Sequence, residues 1–548
     1  MPLLPVLFTT VHPSPSPDQY DVVIIGGAFS GASTALLLRR QAPLLRVLIV
    51  EKRDAFDAKV GEATTEMSAM FLTRRLSLWQ HLEREHLPKD GLRYWSSNVR
   101  VTSHANASET GGFYRSLVPA FQLRRDVLDE HILQLATAAG AELLRPARVN
   151  DIALQPFDNA IMLSQKVDGV EQSRRVRCTW LIDASGRSCF LGKRRGLIDW
   201  NDEHPIASIW ARWDGVRHID DLAALDHPML AGGNIGSRRL GTNHYIGHGY
   251  WVWVIPLGNG QTSVGVVFDK RIHQLHEAPN RLAAYVGLMR QHPALAELLE
   301  GATPDVDDLR ALSRVAYLSR QYMGDGWALV GDAAAFIDPY YSPGLDHAAF
   351  SIEATVDIIL AHAASAGSSA DRGAAAMKPV IERHNALFNR SYRWFFRCVY
   401  RDKYELLGEH DLTSASFLID TALYYIFLVV PAYRYAKRFR SEPVLGPRAA
   451  YPSYMLLWFM KWRMRRIADL RRRTGEAGRR NDSRRIKAFF NLGLAPAHMA
   501  LRGAKIWLAA EIDALRLRAK LLLTGASQRH KPAIDTIATT TPALPESA

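Results

Sequence analysis

The sequence predicts an α/β chain: a parallel-sheet domain interrupted by an antiparallel-sheet domain and followed by a basic helical region. Three observations carry that prediction. Short apolar runs, DVVII (Asp21 to Ile25) and RVLIVE (Arg46 to Glu51), flank a glycine-rich turn and a helical stretch, ASTALLLRRQ. Bounded apolar runs on either side of a helix mark a buried parallel βαβ unit. Between Ala207 and Asp269 the segments HYIGHGYWVWVIPL and TSVGVVF alternate, as strands of an antiparallel sheet do. From Thr355 onward the pattern turns helical, and between Arg434 and Lys531 there are 24 Lys and Arg against 6 Asp and Glu, a net +18 in a chain of +13. Residues 1–433 therefore carry only −3.

Composition excludes several classes. At 548 residues the chain is too long for one ordinary domain and long enough for a large core. A hydrophobic share of 48% with 22% charged residues rules out wholesale disorder and low-complexity architecture. Cys178, Cys189 and Cys398 are far apart with no CxxC, which excludes a disulfide scaffold and a zinc ribbon and predicts a cytoplasmic home. No metal ligand set is expected, and His410 reads as structural. No uninterrupted apolar run reaches the roughly 18 residues of a membrane span. The nearest is Thr421 to Ala432.

Taken in order, residues 1–19 read as a disordered leader, since MPLLPVLFTTVHPSPSPDQ has no basic start and is broken by prolines. Residues 20–200 form the first part of the nucleotide-binding domain, with a helix over 127–141 and a buried strand ending at Trp180 to Asp183. Residues 201–320 form the antiparallel substrate domain. Residues 321–365 return to the first domain through the strand end Trp327 to Val330. Residues 366–531 are helical, basic from 434, with Met455 to Arg473 placing aromatics and arginines in one helix. Residues 532–548 are a frayed, disordered tail.

Chemistry enters with three turns. GGAFSG (Gly26 to Gly31) presents backbone N–H groups at a helix start, where a pyrophosphate binds, and Glu51 at the next strand end suits ribose hydroxyls. The middle glycine of GxGxxG is Ala28. LIDASGR (Leu181 to Arg187) and WALVGDAAAFIDPYYSPG (Trp327 to Gly344) follow strands in the same way. Together the three resemble the FAD-binding framework of glutathione-reductase-like flavoproteins, and in particular the aromatic-hydroxylase and flavin-dependent halogenase superfamily, over roughly residues 20–430. That resemblance implies an FAD-binding Rossmann-like domain, an antiparallel-sheet substrate domain and a helical basic C-terminal module. It places FAD against Gly26, Ala28, Phe29, Ser30, Gly31, Glu51, Lys52, Ala63, Asp183, Gly186 and Asp332, with Pro339 to Leu345, including Gly344, passing over the isoalloxazine. Arg125 either supports the pyrophosphate or is a solvated charge at a helix start.

WVWVIP fits the WxWxIP signature of flavin-dependent halogenases with Trp251, Trp253, Ile255 and Pro256 in register, and it resembles their wall between flavin and substrate. VGEATTE (Val60 to Glu66) is similar to the halogenase segment along the flavin, and LPKDGLRYW to the stretch that bears the essential lysine, here Lys89. An amine there can hold and polarise hypohalous acid, and a buried lysine shifts its pKa readily. The other reading of Lys89 is a surface lysine in a Pro-Lys-Asp-Gly turn. Ser342 and Gly344 match the halide-binding amides. Free-tryptophan halogenases carry a glutamate where this chain has Tyr341, which favours a phenolic, pyrrolic or carrier-bound aromatic substrate of secondary metabolism.

By resemblance the chain is an FAD-dependent oxidoreductase of halogenase type, supplied by a separate flavin reductase because no second glycine-rich turn serves nicotinamide. The competing readings are an FAD monooxygenase or dehydrogenase acting on a lipid-like or polyene intermediate, and a non-catalytic FAD-folded partner. The basic tail has three readings: an interfacial helix on anionic lipid at the inner face of the membrane, a contact for an acyl-carrier protein, or the solvated face of a packed helix. No nucleic-acid-reading motif accompanies it.

Overall fold

The computed structural model describes residues 18–112, 116–222, 237–365, 370–434 and 450–523. The expected leader up to residue 17 and the tail 532–548 lie outside them. The elements that position the site begin with β1 (Gln19–Ile25), α1 (Phe29–Gln41), β2 (Val47–Val50), β3 (Leu92–Ser96) and β4 (Ser108–Gly112). Next come α2 (Arg125–Ala138), β5 (Glu142–Leu144), β6 (Val170–Asp183), β7 (Ile206–Asp214), β8 (Thr242–Gly247), β9 (Tyr250–Pro256) and β10 (Thr262–Asp269). The remainder comprises β11 (Trp327–Leu329), α3 (Gly344–Ser365), α4 (Ala370–Phe395), α5 (His410–Tyr424), α6 (Tyr451–Arg473), β12 (Arg485–Ala488) and α7 (Ala495–Leu523).

The parallel sheet runs β11-β6-β1-β2-β5. Its central strands are apolar on both faces: Val22, Val23, Ile24, Leu48 and Ile49 are fully buried, as strands covered by helices on both sides must be. The three glycine-bearing turns all leave the same edge of this sheet, the carboxyl ends of β1, β6 and β11. Crevices at that edge are where α/β sheets bind ligands.

The second sheet runs β7-β10-β9-β8-β3-β4-β12. Its alternation sorts β9 cleanly. Trp251, Trp253 and Ile255 join the main core, while Val252 and Val254 face a second core under Tyr285 and Leu295, a period of two made visible. This sheet corrects the expected division of the chain. β3 and β4 come from the stretch assigned to 20–200, β12 comes from the C-terminal helical stretch, and both β3–β8 and β12–β4 pair parallel. Strand pairing at a sheet edge is decided by distant partners, which short local patterns do not encode.

The C-terminal region is bound into the body. α5 packs on α7 and bonds the second sheet through His410 to Ser96 at 2.9 Å and Ser414 to Thr110 at 2.6 Å, and every residue from His410 to Leu423 is buried. Two segments, Gly344–Ser365 and His410–Arg434, are long and apolar enough to cross a membrane, which reading apolar runs alone did not flag. The fold buries 61% of each apolar window, leaving them as core helices. Arg471 on α6 spans Glu409 and Asp411 at 2.8 Å each. Many of the arginines counted as a basic tail therefore neutralise acids of the body.

Candidate active site

The first crevice forms where β1 ends. Gly26 has φ +97, and a Cβ there would lie 2.6 Å from the Ala184 carbonyl oxygen, so only glycine lets the β1 and β6 turns approach. A Cβ on Gly31 would sit well inside contact distance of the Gly26 carbonyl. Ala28 is extended and carries no side-chain cap, so the amides of Phe29, Ser30 and Gly31 open α1 without an intrahelical partner. Glu51 is buried at the end of β2 and accepts from the Gly27 N–H at 2.7 Å and the Arg53 N–H at 3.0 Å. Lys52, beside it, is exposed.

On the opposite wall, a Cβ on Gly331 would run into the Ser30 hydroxyl, which shows how close the third turn comes to the first. The next residue, Asp332, has a carboxylate with no hydrogen-bond partner among the described residues. Burial raises its pKa, opposed by Arg187, Arg125 and Lys59. Gly186 has φ +62 and faces open space. Asp183 also helps shape the turn that follows β6. Its carboxylate is fully buried and accepts from the Ser185 N–H at 2.9 Å and the Leu191 N–H at 2.7 Å, so it shapes the turn that presents Gly186. Arg125 is not a solvated helix-start charge. Its guanidinium is buried, doubly bonded to Asp129 at 3.2 Å, and donates to the Gly61 carbonyl at 3.2 Å.

The second part of the site centres on Lys89. It is 5% exposed, which removes the surface-turn reading. Its Nζ donates to the Thr64 carbonyl at 2.7 Å, and Ala63, next to Thr64, bridges to Gln122. Burial lowers the Lys89 pKa to about 8 against the pull of Glu66 and Asp346. Asp346, in the first turn of α3, accepts from the Ser68 N–H at 2.9 Å, and burial raises it to about 6. His244 on β8 faces the same space. Its Nδ1–H donates to the Arg93 carbonyl at 3.2 Å, and burial first, with Lys89 adding to it, holds the ring neutral with a pKa of about 3.

Trp251 borders both parts. Its ring lies 5.2 Å from Tyr340, edge to face, and 5.1 Å from His244. It therefore touches both the Pro339 to Leu345 segment and the Lys89 chamber. Its indole N–H donates to Tyr404 at 2.9 Å, and that of Trp253 to Ser263 at 3.1 Å, which fixes both rings. Ile255 and Pro256 continue the strand and are buried.

The Ser342 to Gly344 turn departs from expectation. Ser342 is left-handed (φ 56) and its N–H donates to the Pro339 carbonyl at 2.9 Å, so that amide is already used and Pro343 has none. The amides open at this turn are those of Gly344 and Leu345, which begin α3. Behind the turn, Tyr341 donates to Asp420 at 2.7 Å, and Asp420 also takes Lys403 at 2.6 Å and Lys461 at 2.9 Å. All three charged groups are buried. The sequence offered one sign of this cluster, the lone acid Asp420 abutting the apolar run from Thr421. It offered none for His244.

A family model described as tryptophan halogenase matches residues 76–384 of this chain, more than half its length. The chain belongs to the tryptophan halogenase family. The flavin-dependent halogenase chlA of Dictyostelium discoideum is 28% identical over 449 residues, covering 76% of this chain and 71% of that one. The 1H-pyrrole-2-carbonyl-[peptidyl-carrier protein] chlorinase of Pseudomonas fluorescens is 26% identical over 365 residues, covering 63% and 76%. Among solved structures, halogenase PltM in complex with phloroglucinol and FAD shares the fold with a TM-score of 0.67 at 20% identity, over 90% of this chain and 96% of that one.

As a flavin-dependent halogenase of this family, the chain is an FAD-dependent oxidoreductase. The crevice fits an FAD. When FAD binds, the orphan α1 amides would hold the pyrophosphate, and Glu51 and the Asp332 carboxylate, unpartnered among the described residues, would accept from its hydroxyls. Gly31→Ala should leave the protein unable to retain flavin, because the added methyl forces the α1 turn away from β1. Flavin absorbance of the purified protein, alongside circular dichroism to confirm folding, checks this.

Proposed function

We propose that this halogenase uses reduced FAD, oxygen and halide to place a halogen on an electron-rich phenolic, pyrrolic or carrier-bound aromatic, with Lys89 holding the halogen donor. Bound FAD would supply the oxygen chemistry that turns halide into hypohalous acid. The observation that carries the reading is the buried Lys89, close enough to feel Asp346 at the start of α3 and the His244 ring that lies 5.1 Å from Trp251. The Gly344 and Leu345 amides would bind halide at the positive end of α3. The fixed Trp251 ring would keep the substrate off the flavin. The Lys89 ammonium would donate to the hypohalous oxygen, so that the ring takes the halogen, water leaves, and the ring proton passes to a neighbouring base.

Tyr341 is bonded to Asp420 in the place where free-tryptophan halogenases have a carboxylate, which supports phenols or pyrroles over free tryptophan. A separate flavin reductase would deliver the reduced cofactor. The test supplies such a reductase, oxygen and bromide with a panel of phenols and a pyrrole-2-carbonyl thioester, and reads products by mass spectrometry. Brominated product that appears only with bromide is expected. Hydroxylated product indifferent to halide would overturn the reading.

The pH profile tests the form in which Lys89 acts. With the Lys89 pKa lowered to about 8, the ammonium dominates below that value. Halogenation with flavin and halide saturating should be level below pH 8 and fall above it. A rate that instead climbs through pH 8 would mean that the neutral amine carries the halogen.

A further inference from the structure

The C-terminal helices present an apolar face that nothing among the described residues covers. On α7, Leu501, Leu508, Leu515 and Leu522 repeat every seven residues and are 61%, 51%, 59% and 84% exposed. A seven-residue spacing keeps them on one stripe of the helix, about 30 Å long at 1.5 Å per residue. The opposite face, with Met499, Ala510 and Ala514, is buried against the body. α6 lies alongside, joined by Arg463 to Glu511 at 2.6 Å, and its exposed aromatics Phe459 and Trp462 stand next to that joint. Monomeric proteins seldom leave so long an apolar stripe to water.

The charge around the stripe identifies what covers it. Both acids of α7 are neutralised, Glu511 by Arg463 and Asp513 by Arg480. The cations Lys505, Arg516 and Arg518 have no acidic partner among the described residues, and Arg466 lies over the Trp462 ring at 4.7 Å. By helical periodicity Arg516 and Arg518 fall on opposite flanks of the leucine stripe. A second copy of the chain would bring this basic rim against itself. A surface of anionic headgroups over acyl chains matches both features at once, with leucines in the acyl boundary, basic side chains at the phosphates and Trp462 at the interface.

We propose that α6 and α7 form a peripheral docking face for anionic membranes, with the leucine stripe as the inserted edge. The proposal does not depend on the halogenation reading, because its readout is binding alone. The FAD-loaded full chain is floated with vesicles of phosphatidylcholine alone or of equimolar phosphatidylcholine and phosphatidylglycerol. Flotation with the anionic vesicles only is expected, weakening as salt rises. Leu508→Asp with Leu515→Asp should abolish it while flavin absorbance and the thermal midpoint stay unchanged, since both side chains point to water. Arg516→Gln with Arg518→Gln should weaken binding about thirtyfold.

Failure of the wild type to float would overturn the proposal. So would flotation that is insensitive to the leucine pair, or a wild-type dimer in solution that the leucine pair dissolves, which would assign the face to a second copy. An acidic carrier domain that binds the face and is displaced only by the arginine pair would assign it to a protein partner and equally overturn the lipid reading.

Discussion

Lys89→Ala will yield a protein that binds FAD and still consumes reduced flavin and oxygen, yet halogenates about 100- to 10,000-fold more slowly, the contribution a positioned proton donor makes. The reason is local. Lys89 touches the described structure through one strong bond, to the Thr64 carbonyl, and the Glu51 carboxylate is bonded to the Gly27 and Arg53 amides instead. Removing the amine should therefore spare the cofactor and take the Lys89 charge out of the proposed substrate chamber. Lys89→Met, which fills the volume, should match the alanine variant and so exclude a cavity effect. Lys89→Arg keeps a charge that does not titrate in this range. Any activity it retains should lose the fall above pH 8. Full halogenation by Lys89→Ala would take Lys89 out of the chemistry.

Asp420→Asn should lower the unfolding free energy by about 3 to 5 kcal/mol, the cost of stripping one partner from a buried ion network. Asp420 is the only anion bonded to Lys403 and Lys461 among the described residues. Burial raises its pKa, but the charges and hydrogen bonds of Lys403 and Lys461 outweigh that and hold it below its ordinary value, so it stabilises the fold above the unfolded carboxylate range and loses that effect as pH falls through its lower native value. Chemical denaturation should show the loss directly. Asp420→Asn combined with Lys461→Met should lose less than the single variant, because the uncompensated ammonium is gone. The halide KM of the single variant should rise, since Tyr341, which borders the Ser342 turn, exchanges a charged acceptor for a neutral one.

Lys461 adds a signature of opposite sign. Burial brings its pKa down to about 7, so between pH 7 and the ordinary lysine range the unfolded chain binds more protons than the folded one. Stability must rise with pH across that window. Lys461→Met should flatten the rise seen in the wild-type denaturation midpoint, and an unchanged slope would show that Lys461 is not the titrating group.

What could be read from the sequence follows from how local each signal is. The βαβ unit was legible because apolar runs, turn and helix are contiguous, and the Trp251/Trp253 strand because alternation and aromatics coincide. Lys89 was legible only in the company of the Val60 to Glu66 segment. The membership of β3, β4 and β12 in one sheet was not legible, since each pairs with a strand far along the chain. Ser342 was misplaced because sequence shows an amide without showing that Pro339 already uses it. The partners of Asp420 come from the turn before α5, from α6 and from the turn before α3, and no spacing rule links them.

The position of β12 in the second sheet also bears on how the chain is born. β4 pairs with β3 on one side and waits on the other for Arg485–Ala488, which the ribosome makes about 370 residues later, roughly 20 to 75 s at ordinary rates of synthesis. Throughout that interval an uncapped strand edge is open to pairing with other nascent chains. Production of this halogenase should therefore be limited by holdase chaperones and by temperature during expression. Truncations that end before residue 485 should aggregate however well the flavin crevice itself can form.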